Sequence, residues 1–241
     1  MKYALILGAS GDIGMATARE LASAGWSLYC HYHRHEEVVK TLVQELCEKY
    51  PEQLFSAVSL DMTQSTVPLA FYEEIEPVDA VIFANGKTVY KLLTEMEAEE
   101  MDELWRLFVK TPALICQHLQ EKLAKRKQGR IVFISSVYGF SGSAMEVMYS
   151  TLKGAQHAFV KAYAQEVASL GMTVNAVAPG AVDTHMNTDW TAEEQAQLLS
   201  DIPLQRMASP YEVATLVTFL LGESASYITG ASIPITGGWK Y

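Results

Sequence analysis

In the stretch MYSTLKG, Tyr149 and Lys153 stand four residues apart in a run that reads as helix. At that spacing two side chains share one helical face and project into the same space. A free phenol has a pKa of about 10, and a neighbouring ammonium stabilises the phenolate. Lys153 is therefore expected to lower the pKa of Tyr149 and make it a proton donor near neutral pH. Upstream, the apolar run GRIVFISS closes on Ser135-Ser136. Ligands bind beyond the carboxyl ends of strands in open α/β sheets, and a serine there can hydrogen-bond a substrate carbonyl. Tyrosine and lysine also occur at this spacing by chance, so the surrounding elements decide the reading.

A glycine-rich turn, Gly8-Ala9-Ser10-Gly11-Asp12-Ile13-Gly14, separates the first apolar run from a helical pattern spanning Met15 to Ala24. Glycines permit a tight turn and let backbone N–H groups approach a pyrophosphate at the positive end of a helix. Gly8, Ser10, Asp12, Ile13 and Gly14 are the expected contacts to a dinucleotide. The second apolar run ends in His31-Tyr32-His33-Arg34-His35, with no acid at its tip to bind an adenosine ribose. Arg34 offers a permanent cation for a 2′-phosphate, which favours NADPH over NADH. The alternating histidines suggest a metal, but no further ligands accompany them, and the expectation is no metal.

Seven short apolar runs recur along the chain: YALIL, SLYCHY, LFSAVSL, DAVIFA, GRIVFISS, MTVNAVA and ASIPI. Amphipathic segments lie between them, a pattern of parallel strands with crossover helices. The expected fold is one α/β domain over residues 1–241, a Rossmann-type doubly wound parallel sheet of seven strands with helices on both faces. The irregular stretch 181–203 points to a substrate lid around residues 183–205. With a net charge of -10 and Lys125-Arg126-Lys127 as its longest basic run, the chain is a poor partner for nucleic acid or anionic membranes. Cys30, Cys47 and Cys116 read as reduced core residues, and no apolar run reaches membrane length. A cytoplasmic protein is expected.

Taken together, these elements resemble the short-chain dehydrogenase/reductase family along the whole chain. The matching pieces are GASGDIG, the LDM of Leu60 to Met62, Asn85-Gly86, Ser136 followed by Tyr149 and Lys153, NAVAPGAVDT from Asn175, and YITGASIPITGG from Tyr227. The resemblance implies hydride transfer between nicotinamide and a carbonyl carbon. It makes Tyr149 the proton donor, Ser136 the group that orients and polarises the carbonyl, and Lys153 both the tuner of Tyr149 and a contact to the nicotinamide ribose. It places Asp61 and Met62 at adenine, Asn85 and Gly86 along the cofactor, and Pro179, Gly180, Val182 and Thr184 at the nicotinamide amide. Plainer roles remain open, with Asp61 as a helix cap and Pro179-Gly180 as a turn. The long helix from Tyr149 to Leu170 and the segment Tyr227 to Gly238 pack between subunits in relatives, implying a homotetramer or homodimer.

Three positions depart from the family pattern. Asp12 stands where a second glycine is usual, Phe83-Ala84-Asn85-Gly86 replaces Asn-Asn-Ala-Gly, and Phe108 takes the place of an asparagine that holds a water on the proton path. An apolar ring cannot hold that water. Residues 202–230 most resemble 3-oxoacyl-acyl-carrier-protein reductases, whereas the segments around Tyr149 and Asn175 are closer to elongation factor P 5-aminopentanone reductases. Leu170 occupies a position where carrier-binding relatives use a base. Glu146, Asp183, Asp189, Glu193 and Glu194 suit a cationic substrate or a solvated surface. Met145, Met148, Met186 and Trp190 read as an apolar slot or as core. A family member that binds cofactor without catalysis is the third alternative.

Overall fold

A computed structural model describes residues 1–185 and 191–240. The seven expected runs form strands β1 (Lys2–Leu7), β2 (Trp26–Tyr32), β3 (Phe55–Ser59), β4 (Ala80–Phe83), β5 (Arg130–Ile134), β6 (Thr173–Pro179) and β7 (Ser232–Ile235). They make one sheet in the order β3-β2-β1-β4-β5-β6-β7, with every pairing parallel. Parallel strands need crossovers, and these carry α1 (Asp12–Ser23), α2 (Glu36–Lys49), α3 (Leu69–Glu73), α4 (Ala98–Trp105), α5 (Thr111–Ala124), α6 (Tyr138–Ser141), α7 (Val147–Val167), α8 (Ala192–Asp201) and α9 (Pro210–Leu221). The fold is the expected Rossmann type.

Side chains alternate across a strand, so each central strand feeds two cores. Leu5, Leu7, Phe83 and Phe133 pack on one face with Ile115, Val160 and Tyr163 of α5 and α7. Ala4, Ile6, Ile82 and Val132 pack on the other with Ala18, Leu21 and Val217 of α1 and α9. Burying each large apolar side chain is worth roughly 2 kcal/mol. That burial fixes the strand ends where the site lies.

Several local expectations are corrected. Helix α1 begins at Asp12 rather than Met15, because Gly14 belongs to its first turn, where an added Cβ would sit 2.1 Å from the Gly8 carbonyl oxygen. Cys47 is exposed on α2, whereas Cys30 and Cys116 are buried. The stretch 181–203 contains α8, started by a capping box in which Thr191 and Glu194 bond each other's backbone N–H. Met186 and Trp190, with Asp189, lie outside the described residues. Among the described residues no helix is long and apolar enough to cross a membrane.

Candidate active site

The carboxyl ends of the strands open into a cavity of about 730 Å³. Every residue expected to act in catalysis or in cofactor binding lines it except Asp61. At its floor, Gly8 has φ +85°, and an added Cβ would meet the Asn85 backbone at 2.7 Å. With the Gly14 contact this explains glycine at both ends of the turn. Gly11 is different, since an added Cβ there would approach nothing closer than 3.6 Å. Asp12 does not point at the floor of the turn. Its carboxylate accepts from the His185 backbone N–H and faces His185 Nδ1, both at 2.8 Å.

His31 is only 3% exposed, and it holds the turn. Its Nδ1 accepts from the Gly8 N–H at 3.0 Å, which leaves Nε2 to donate to the Leu60 carbonyl at 2.9 Å. Its own carbonyl accepts the Ala9 N–H at 3.0 Å. Burial lowers its pKa to about 4, so the ring is neutral. The sequence offered His31 as one of three alternating histidines at a strand end, not as a brace of the turn. Its two apolar neighbours in the strand, Cys30 and Tyr32, were the signal that this position sits at the edge of the core.

Asp61 faces its own turn instead of the cavity. Burial pushes its carboxyl up, but hydrogen bonds from Thr63 and Gln64 outweigh this and hold it at about 2. His33 Nε2 lies 3.6 Å away. Arg34 is exposed beside it and pairs with no carboxylate among the described residues.

On the opposite wall, α7 presents Tyr149 and Lys153 toward Ser136, which follows β5. The Ser136 hydroxyl accepts the Tyr138 N–H at 3.2 Å, and Ser136 lines the cavity with Tyr149. Lys153 is 3% exposed, and its Nζ donates to the Ile134 carbonyl at 2.8 Å. Here the expected acidification of Tyr149 is corrected. Burial pushes the phenol up to about 12 despite Ser136, and burial also lowers Lys153 to about 7. In a dry wall both charged forms are disfavoured, and the ammonium stands 5.5 Å from the phenol ring.

Phe108 is fully buried in a π-helical turn, Arg106–Lys110, between α4 and α5. Such a turn breaks the regular carbonyl ladder. Two carboxamides take up the carbonyls: Asn85 Nδ2 donates to Leu107 and Gln156 Nε2 to Phe108, each at 2.9 Å. Asn85 thus braces this turn rather than the central strands. Its Oδ1 and the Gln156 Oε1 are buried without a protein partner. Sequence reasoning missed Gln156, whose only sign was a polar residue on the inner face of α7.

Of the expected apolar slot, Met148 instead packs on Leu104, Phe108 and Leu152, and Met145 does not line the cavity. Leu198 and Trp239 supply apolar lining that the sequence did not mark. The side chain of Glu194 is spent on its helix start rather than on a ligand.

A family model described as enoyl-(acyl carrier protein) reductase matches residues 8–240. The chain is 37% identical to the uncharacterized oxidoreductase YmfI of Bacillus subtilis, covering 99% of this chain and 98% of the relative. It is 35% identical to the 3-oxoacyl-[acyl-carrier-protein] reductase FabG of Aquifex aeolicus, covering 98% and 96%. The crystal structure of L-sorbose reductase from Gluconobacter frateurii, complexed with NADPH and L-sorbose, superposes with a TM-score of 0.90 at 25% identity, covering 98% of this chain and 95% of that one.

Proposed function

The chain belongs to the short-chain dehydrogenase/reductase family, oxidoreductases acting between carbonyl and alcohol groups, and from that premise we propose that it is an NADPH-dependent ketone reductase. The observation that carries this reading is that Ser136, Tyr149 and Lys153 line one cavity together with the glycine turn. The cavity fits a dinucleotide phosphate. Gly8 and Gly14 leave a bare cradle, and the N–H groups of Asp12, Ile13 and Gly14 have no carbonyl within their helix to bond. Ser10 lies in the same turn, and the unpaired Arg34 suits a 2′-phosphate. In this reading Met62 borders the adenine, with Asp61 acting from behind by holding Thr63. Asn85 and Gly86 flank the middle of the cofactor, and Pro179, Gly180, Val182 and Thr184 border the nicotinamide.

Bound reduced nicotinamide supplies a hydride to the carbonyl carbon. Tyr149, protonated across the neutral range, gives its hydroxyl proton to the carbonyl oxygen, which leaves as the alcohol. Ser136 donates a hydrogen bond that orients and polarises that oxygen. Lys153 contacts the nicotinamide ribose, and its ammonium returns a proton to Tyr149. A protein that only bound cofactor would have no use for all three.

Within this class the substrate is read as the 5-aminopentanone modification on elongation factor P. An acidic acyl carrier meets a net charge of -10. Leu170 packs on the core where a docking base is needed, and Lys125 and Arg126 already face Glu76 and Asp79 at 3.4 and 3.3 Å. The second reading, a 3-oxoacyl group on acyl carrier protein, is favoured by the similarity to the Aquifex aeolicus 3-oxoacyl-[acyl-carrier-protein] reductase. A dimer or tetramer in the cytoplasm completes the proposal, and the fully exposed Tyr227 supports a further contact surface. Both substrates assayed in parallel with NADPH decide between them, and equal or faster turnover of the carrier substrate defeats the first. Tyr149→Phe should remove turnover while NADPH still binds, and persistent turnover would sink the mechanism.

A further inference from the structure

Three carboxylates line the cavity, Asp12, Glu103 and Glu146. Two have a basic side chain as partner. Asp12 is held by His185 at 2.8 Å, and Glu103 meets the Lys87 ammonium at 2.9 Å. Among the described residues no lysine, arginine or histidine side chain pairs with Glu146. Lys91 comes close in the chain path, since its backbone N–H donates to the Met145 carbonyl at 2.9 Å. Its ammonium, however, is held by Glu100 at 2.7 Å.

Glu146 is half-buried and lines the cavity, and burial pushes its carboxyl up, with the nearby Ser143 hydroxyl opposing the shift. It immediately precedes α7, three residues before Tyr149, so it is fixed relative to the phenol. Burial is the main reason that both Tyr149 and Tyr138 titrate high, and the charge of Glu146 adds to it in each case. A carboxylate that loses water without gaining a counter-ion is costly. Along the cavity, the Arg34 cation lies at the β2 end and Glu146 at the Tyr149 end.

We propose that Glu146 is the seat for a cationic amine on the substrate, so that the enzyme selects ketones carrying a protonated nitrogen within reach of the carbonyl. The inference rests on the ketone-reductase reading above and adds its specificity determinant. The carboxylate at this site supplies the charge that no side chain of the chain neutralises.

The test compares a dimethylamino ketone, which is protonated at neutral pH and cannot close to an imine, with the isopropyl ketone in which CH replaces the nitrogen. Both are assayed with NADPH against wild type, Glu146→Gln and Glu146→Asp. Wild type should favour the cationic ketone, and Glu146→Gln should cut the ratio of kcat/KM values about tenfold, with the loss in KM for the cationic ketone. Glu146→Asp should recover part of the ratio. An unchanged ratio in Glu146→Gln overturns the inference and leaves the reductase reading standing. Turnover of neither ketone by wild type overturns the inference, while the reductase reading is decided by the protein-borne substrates above.

Discussion

The ring of Phe108 stands edge-on to Tyr149, with centroids 5.8 Å apart and planes at 86°, while the Lys153 ammonium lies 4.6 Å from the same ring. One apolar side chain thus walls off both members of the proton-transfer pair. Exclusion of water is why Lys153 is lowered to about 7. If its ammonium recharges Tyr149, kcat/KM for ketone reduction should fall as the pH rises through about 7, because the free enzyme then loses that proton. A profile flat to the usual lysine range would contradict this role.

Replacing the wall should move that limb. Phe108→Ala removes a fully buried ring, at a cost of about 3–5 kcal/mol measured by urea denaturation. Water admitted beside Nζ restores the solvation of the ammonium, so the alkaline limb should shift upward. An unmoved limb in a folded variant would show that burial by Phe108 does not set the lysine's pKa.

The first two glycines of the turn make opposite predictions. Gly8→Ala forces a Cβ to 2.7 Å from the Asn85 backbone at a φ of +85°, and NADPH affinity should collapse. Gly11→Ala has ordinary space at a φ of -88° and should change stability by less than about 1 kcal/mol, with cofactor binding kept. Calorimetric titration of NADPH into each variant distinguishes them. Equal losses would mean that the cradle does not work through backbone approach.

Arg34→Ala should weaken NADPH roughly tenfold or more while leaving NADH nearly unchanged, since only the former carries the 2′-phosphate. Parallel loss of both cofactors would remove Arg34 from the specificity argument.

His31 makes stability depend on pH. Its pKa is about 4 in the fold against 6.5 when free, so the unfolded chain binds more protons between those values. Stability should therefore fall as the pH drops across that window, by up to roughly 3 kcal/mol. Urea titrations at several pH values should show a shallower fall in His31→Gln. An equally steep fall would place the dependence elsewhere.

The sheet was legible because the runs of its central strands, β4, β5 and β6 above all, are buried on both faces, so composition and layer agree. The glycine turn, Ser136, Tyr149 and Lys153 were legible because their spacing is local. The start of α1 was not, since Gly14 reads as a breaker until the Gly8 carbonyl beneath it is known. The π-helical turn was also hidden, because its carbonyls are satisfied by Asn85 and Gln156 from distant elements. The acidity of Tyr149 was misjudged for a related reason. Sequence spacing supplies the neighbouring charge, but desolvation depends on Phe108 and the packed wall, which only the tertiary structure assembles.

Helix α7 carries Tyr149 and Lys153 on one stretch and Val160, Tyr163 and Val167 of the main core on the next. The positions of the reacting groups are therefore set by the same packing that makes the domain fold. Glu146, which precedes α7 and lines the cavity, lies outside that core packing. New substrates can be explored there by substitution without retuning the proton donor, whereas any change along the inner face of α7 is tested for foldability before it is tested for chemistry.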